Sequence, residues 1–461
     1  MKLKLSGVIL SVALVLSALI NNSIYGEDSG AANEAPQNAG TKAPEKLKLS
    51  LSQCLKLTLD NNRQILISRE EKEKAKGRLK EAQSLKYPHV SANLSYTRPD
   101  KVAEFDVGGV KIETGTLNNY KAEASINQSL YQGGRINASI KSAQIGEELA
   151  DTQIANTEEE IILLATKSYY DVLLSQEVVS INRKGLENVQ EHFKNVKLLN
   201  KEGVASNYEV LRAGVQVSNT KTLLIQSESA LRLSKLSLLR IMGAPTDDES
   251  GEIELSDQLI YAPKEIDSVK ALDTAFQMRK DLKQAKLLLD LQRKNLTITK
   301  SALRPSLSLI AGIGEEKPSR YSFGLIEWGS YWNATLLLAF PIFEGGQTRG
   351  RLVQEKATLS QYQIALRDAE ERTHYEIREA ILSINDAAEL IISQQENVKQ
   401  AEEGLRLAEL GFKNGVNTQL EVMDTQVALD IARKNYLSAI YSYNMAQLML
   451  ERAMGVLGNK K

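Results

Sequence analysis

The sequence predicts a mainly α-helical chain in two tandem helix–strand–strand–helix–helix units, with a transmembrane β-barrel part that other copies must complete. Three observations predict this. After Phe343-Glu344-Gly345-Gly346, a proline-free helical pattern runs for about 67 residues, a rod of roughly 100 Å at about 1.5 Å per residue. The second half of the chain repeats the first: Tyr131-Gln132-Gly133-Gly134 returns as Phe343 to Gly346, Gly203-Val204 as Gly415-Val416, and Met242-Gly243 as Met454-Gly455, all 212 positions later. Between the helical stretches of each unit lie two runs with period two, the mark of strands.

The ends read differently from the units. Lys2 and Lys4 precede an apolar run from Leu5 to Ile20, and Ile24-Tyr25-Gly26 offers a cleavage site, so residues 1–26 read as a secretory signal. A membrane anchor is the competing reading, but the run is short for a spanning helix of about 20 residues. Residues 27–48 read as a disordered tail and 456–461 as a C-terminal tail. The chain has 461 residues and a net charge of -1, so nothing suggests nucleic-acid binding. Its single cysteine, Cys54, has no partner and is expected as a small core residue on a helix with Leu55 and Leu59.

Repeat 1 covers 49–243 and repeat 2 covers 267–455, joined by a linker over 244–266 that carries Asp247-Asp248-Glu249. The fronts of the units are offset by 217, mapping Leu55 to Leu272, Leu59 to Phe276 and Pro88 to Pro305. Each unit opens with a helix, about Ser52–Lys86 and Asp267–Arg304, that ends before a proline. Strands are expected at 89–98, 118–131, 305–314 and 330–342. Val90, Ala92, Leu94 and Tyr96 face one way and Ser91, Asn93 and Ser95 the other. Trp332, Ala334, Leu336 and Leu338 likewise oppose Tyr331, Asn333 and Thr335. Such lengths suit tilted membrane strands. The connectors Pro99–Asn118 and Glu315–Ser330 read as exposed loops. Tyr321, Trp328, Tyr331 and Trp332 are expected as an interfacial aromatic girdle in membrane lipid. Four strands cannot close a barrel, and open edges are not tolerated in lipid. Two copies would give eight strands and three would give twelve, against the minimum of about eight. The alternative is a secreted or periplasmic coiled-coil structural or adhesive protein with soluble hairpins.

Seams with alternating spacings of four and three run along both long helices. The first holds Ala165, Tyr169, Val172, Gln176, Val179, Arg183 and Leu186; the second holds Ile377, Ile381, Ile384, Ala388, Ile391, Gln395 and Val398. Each rod ends in a glycine turn, and a return helix follows. Ser206-x-x-Glu209 and Thr418-x-x-Glu421 match capping boxes.

The duplicated order, the Gly-Gly after each second strand, the Gly-Val-x-x-x-x-Glu-Val at each turn and the closing Met-Gly resemble the outer membrane efflux family, the TolC-like ducts. The resemblance covers about Leu49 to Gly455. It implies a homotrimer with a twelve-stranded barrel in outer-membrane lipid and a long α-helical periplasmic tunnel. It also implies a periplasmic adaptor (membrane fusion) protein and an inner-membrane pump or secretion ATPase as partners, with no cofactor and no chemistry of the duct's own. Acidic residues ring the periplasmic constriction in this family. Asp424 and Glu421 match those positions, and Glu209 is the counterpart of Glu421 in the first repeat. By position, Gly203, Val204, Ser206, Asn207, Gly415, Val416, Asn417 and Thr418 are the candidate adaptor contacts. Phe412 and Asn417 stand where described members lock the closed mouth with an aromatic residue and an arginine. His89, His192 and His374 lack ligand spacing and read as surface histidines, so no catalytic or metal site is expected.

Overall fold

The computed structural model describes residues 47–114, 116–245, 253–321 and 326–459. The signal (1–26), the tail up to residue 46 and the acidic stretch 246–252 lie outside the described residues. The first unit runs β1 (Leu47–Leu49), α1 (Leu51–Asn61), α2 (Arg63–Ser84), β2 (His89–Thr97), β3 (Ala103–Val107), β4 (Val110–Thr114), β5 (Asn119–Gln132), α3 (Arg135–Lys201) and α4 (Asn207–Met242). The second runs β6 (Ile253–Leu255), α5 (Ser268–Met278), α6 (Lys280–Ser301), β7 (Ser306–Lys317), β8 (Gly329–Ala339), α7 (Gln347–Lys413), α8 (Gln419–Ala453) and a closing 3-10 turn (Leu457–Asn459).

The opening helix of each unit, expected to be continuous, is broken once. The breaks fall at Asn62 and Arg279, again 217 residues apart, and both adopt an extended backbone. A side-chain amide at such a point competes with the helix for backbone groups. Asn62 Oδ1 accepts from the Gln64 N–H at 2.8 Å, and its Nδ2 donates to Ile241 O at 2.7 Å. Arg279 instead buries its guanidinium, which bonds Asp281 and Glu376, each at 2.6 Å, and Ala453 O at 3.2 Å. The closing Met-Gly of each half sits on these breaks. A Cβ on Gly243 would lie 2.4 Å from Asn61 O, and one on Gly455 2.9 Å from Arg279 Cα, so neither position accepts a side chain.

The four main strands form one antiparallel sheet in the order β2-β5-β7-β8. Its register aligns Val90 with Ile126, Ile126 with Ala311, and Ala311 with Ala334. Leu94, Ile313, Trp332, Leu336 and Leu338 share that face and are exposed. The other face carries Ser91, Asn93, Ser125, Asn127, Asn333 and Thr335. β2 and β8 are open edges. β7 runs past its expected end into the connector, because Glu315, Glu316 and Lys317 still find ladder partners in β5. The connector over 99–118, read as a loop, holds the hairpin β3–β4, turned at Gly108-Gly109 with Asp106 Oδ1 accepting the Gly109 N–H at 2.8 Å.

The core is a belt around the middle of the rods. Tyr169 and Val172 of α3 pack with Leu49, Cys54, Leu238 and Ile253. Ile377, Ile384 and Ile391 of α7 pack with Ala271, Ala275, Ile440 and Tyr443. Of the polar breaks in the first seam, Arg183 turns outward and bonds Glu228 of α4 at 2.9 Å. Cys54 is fully buried, and burial pushes its thiol up to about 11. Both expected tails are corrected at their inner ends. Residues 47–49 pair in parallel with Ile253–Leu255, which clamps the belt. Leu457 is 1% exposed, because the 3-10 turn folds back to fill a gap between Leu55, Ala165 and Leu448.

Candidate functional site

The candidate site has two ends, the helix tips and the sheet. At the tips, α3 and α7 stop in matching glycine turns. Gly203 and Gly415 take φ of 76° and 73°, and the next N–H returns to the helix, Val204 to Leu199 O at 2.9 Å and Val416 to Gly411 O at 2.8 Å. The return helices are capped as their sequences require. Ser206 N–H donates to Glu209 Oε2 at 2.6 Å and Glu209 N–H to Ser206 Oγ at 3.2 Å. Thr418 N–H donates to Glu421 Oε2 at 2.9 Å and Glu421 N–H to Thr418 Oγ1 at 3.4 Å. Both glutamates therefore hold helix ends together, whatever else they do. Asp424 lies one turn beyond Glu421, is exposed, and makes no hydrogen bond or ion pair among the described residues. Val204 and Val416 crown the two turns, each about three-quarters exposed or more.

The positions that matched the lock are used differently. Asn417 folds onto its own helix end, where a Cβ on Gly411 would lie 2.6 Å from its Cγ. Phe412 packs against His192 of α3, with ring centroids 5.6 Å apart. His192 is thus not a plain surface histidine. Its Nε2 is buried without a hydrogen-bond partner, and burial holds its pKa below the usual imidazole value, opposed by the nearby Glu409. A polar chain also joins α3 to α8. Asn188 Nδ2 donates to Gln426 Oε1 at 3.2 Å, and Gln426 Nε2 donates to Asp430 Oδ1 at 3.0 Å. Asp430 rests against Gly185, where a Cβ would lie 2.9 Å from its Oδ2. Burial raises the Asp430 carboxyl, against the pull of Gln426, Lys434 and Arg433. Sequence reasoning missed these residues. The only available signal was a glycine in the middle of a rod.

On the sheet, Trp328 and Trp332 are exposed on the apolar face and Tyr321 is exposed in the connector after β7. Tyr96 and Tyr120, not assigned to the girdle from the sequence, extend this group. Tyr96 and Tyr120 stack at 5.0 Å, and Tyr120 reaches Trp328 at 6.1 Å. Tyr331 is a correction. It is 8% exposed and lies on the opposite face, because it precedes Trp332 and successive strand residues point to opposite sides. There its ring sits under the Arg320 guanidinium at 4.2 Å and takes the space a side chain on Gly314 would fill. Lys121 pairs with Glu123 at 2.5 Å beside it. The second face of the sheet thus carries mainly serine, asparagine and threonine, with Ile310 and Leu337 among them and a charged cluster at its far end.

A sheet apolar on one face and polar on the other, open at both edges and continued by two rods, is one wall of a pore-forming membrane protein. Residues 54–244 and 271–456 each match the sequence model of a family described as "Outer membrane efflux protein", one match per repeat. The chain belongs to that family and is an outer-membrane channel whose helices extend into the periplasm. It is similar to the outer membrane protein TolC of Vibrio cholerae, 25% identical over 342 residues, covering 74% of this chain and 77% of that one. It is also similar to the toluene efflux pump outer membrane protein TtgC of Pseudomonas putida, 23% identical over 416 residues, covering 88% and 83%. Among solved structures, the CmeC outer membrane channel of Campylobacter jejuni superposes with a TM-score of 0.77 at 16% identity, covering 92% of this chain and 94% of that one. The outer membrane protein VceC of Vibrio cholerae gives 0.75 at 16% identity, covering 88% and 96%. Membership of this family excludes the alternative of a soluble structural or adhesive protein.

Proposed function

We propose that three copies of this chain pool their strands into a twelve-stranded barrel and their rods into one tunnel. The tunnel then receives cargo from a periplasmic adaptor and an inner-membrane pump or secretion ATPase and conducts it passively outward. The observation that carries the reading is the pairing of β5 with β7. The repeat offsets map β5 onto β8 and β7 onto β2, so the internal seam predicts the seam between copies. Ile126 faces Ala311 within the chain. Adding 212 to the first and subtracting 217 from the second gives Leu338 and Leu94, both exposed on the lipid face of the open edges. The helices support the same join. Gly133 packs on Ser301 and Arg304, whereas its repeat partner Gly345 meets open space. The matching surface, Ser84 and Tyr87, is on the next copy.

In this assembly Asp424 occurs three times around the narrow end and forms the charged ring, with Glu421 and Glu209 adding to the same negative field from their capping positions. The adaptor meets the turns at Gly203, Val204, Ser206, Asn207, Gly415, Val416, Asn417 and Thr418. The seam of Asn188, Gln426 and Asp430 holds the two helical hairpins together in the closed state. The test is oxidative cross-linking of a Leu94→Cys, Leu338→Cys double variant in membranes; Cys54 is buried and does not compete. A ladder ending at trimer is expected. Monomer alone, or pairing only after the membrane is dissolved, refutes the assembly.

A further inference from the structure

Below the sheet, four helices pack in the order α2, α3, α6 and α7. Inside the chain α3 meets α6 antiparallel, Ser142 Oγ lying 3.2 Å from Asn295 Oδ1 and Asn156 Nδ2 donating to Gln284 Oε1 at 2.9 Å. Near the sheet this seam leaves a crevice of about 300 Å³, where small residues such as Ser139, Ser142, Ala143 and Gly146 face Ile298 of α6. Further along, Glu159 feels the charge of Lys280. The outer flanks of the layer, α7 and α2, repeat α3 and α6. The repeat offsets of 212 and 217 carry each internal contact to an outer one. Ser139 and Ile298 become Arg351 and Glu81, Ser142 and Asn295 become Gln354 and Arg78, and Glu159 and Lys280 become Glu371 and Arg63. The six internal residues are half-buried and the six outer ones are exposed, as a seam closed only by another subunit requires.

We propose that these flanks recognise a second copy of the chain by charge, Arg351 on the partner's Glu81 and Glu371 on the partner's Arg63, so that only identical chains in register close the ring. The exchange between the repeats is directional. A serine against an isoleucine becomes an arginine against a glutamate, and the acid–base contact at the other end keeps its signs. Glu355, one turn beyond Arg351, accepts from Gln292 at 2.5 Å and keeps its charge. The outer crevice therefore sets Arg351 and the partner's Arg78 against Glu355 and the partner's Glu81, two charges of each sign. Between the two pairs Ile67, 63% exposed, stands in place of Gln284, and Ala365 in place of Gln153, which Gln284 bonds at 3.2 Å inside the chain. Asp368, in place of Asn156, pairs with Arg372 of its own helix at 2.7 Å. Sliding the partner by about one turn would set Arg351 on its Arg78, like charge on like, which penalises the wrong register. The proposal rests on the trimeric reading above.

The test co-expresses the full-length wild type with an R351E/E81R chain that carries a different affinity tag, and counts the mixed assemblies recovered from membranes through one tag. Each seam between unlike chains sets arginine on arginine or glutamate on glutamate. The mixed share therefore falls about tenfold below random pairing, roughly threefold at each of the two mixed seams of a trimer. R351E or E81R alone lowers the temperature at which the assembly dissociates on semi-native gels, and the double variant restores it. E371R/R63E repeats the test if E81R does not fold. Random mixing, with the single variants dissociating at the wild-type temperature while the Leu94→Cys, Leu338→Cys ladder still ends at trimer, overturns the pairing and leaves the channel reading in place. A ladder that stops at monomer overturns both.

Discussion

Replacing Glu159 with glutamine should make the protein more stable at pH 8 and leave it unchanged at pH 4. Glu159 lies on α3 under the closing 3-10 turn, where a Cβ on Gly458 would come within 3.6 Å of its Oε1. That Oε1 is buried and has no hydrogen-bond partner. Burial pushes the carboxyl up to about 7, against the pull of Lys280 and Arg279 and with a push from Asp281. The folded protein therefore holds a proton that the unfolded chain gives up above its ordinary value near 4.5. Stability falls as the pH rises from there to about 7 and is flat beyond. A rise of this size corresponds to roughly 3 kcal/mol, discounted to about 1–3 kcal/mol for the solvent still reaching the side chain. Glutamine keeps the shape and cannot ionise. Urea unfolding followed by the helical circular dichroism signal, at pH 4 and pH 8 in the same detergent, reads the difference between variant and wild type. A variant that tracks wild type at both pH values, or that gains more at pH 4, refutes the reasoning.

Arg279→Ala leaves Asp281 and Glu376 facing each other at the belt and Ala453 O without its donor, after removal of a guanidinium that is 8% exposed. The cost should be about 3–5 kcal/mol. It is read as a lower dissociation temperature of the assembled channel on semi-native gels, and an unchanged temperature argues against it. Asp424→Asn removes one charge per copy from the narrow end. In planar bilayers under a KCl gradient the reversal potential should move away from the cation side, and no movement discards Asp424 as the ring.

Much of the fold was legible because its periods are long and its punctuation is doubled. A rod of 67 residues or a strand with alternate faces announces itself through spacing alone, and a second copy of each signal removes chance. The helix caps were legible for the same reason: their partners are three residues apart. The breaks at Asn62 and Arg279 were not, since one residue in a helical run changes no period. Tyr331 shares a strand with Trp332, and the alternation that turns Trp332 to the apolar face turns Tyr331 to the other, under Arg320; only its aromatic ring suggested the girdle.

The sequence by itself determined the two units, their elements, the two-faced sheet and the capped tips, because these depend on residues close along the chain. Only the tertiary structure decided which distant residues share a space. The chain Asn188–Gln426–Asp430 spans 238 positions at its first bond, and the Arg279 guanidinium meets Glu376 of α7 and the Ala453 carbonyl of α8. Such sites depend on how the helices are rotated about their axes when the belt packs. That rotation is set by many weak apolar contacts at once, and no local pattern encodes it.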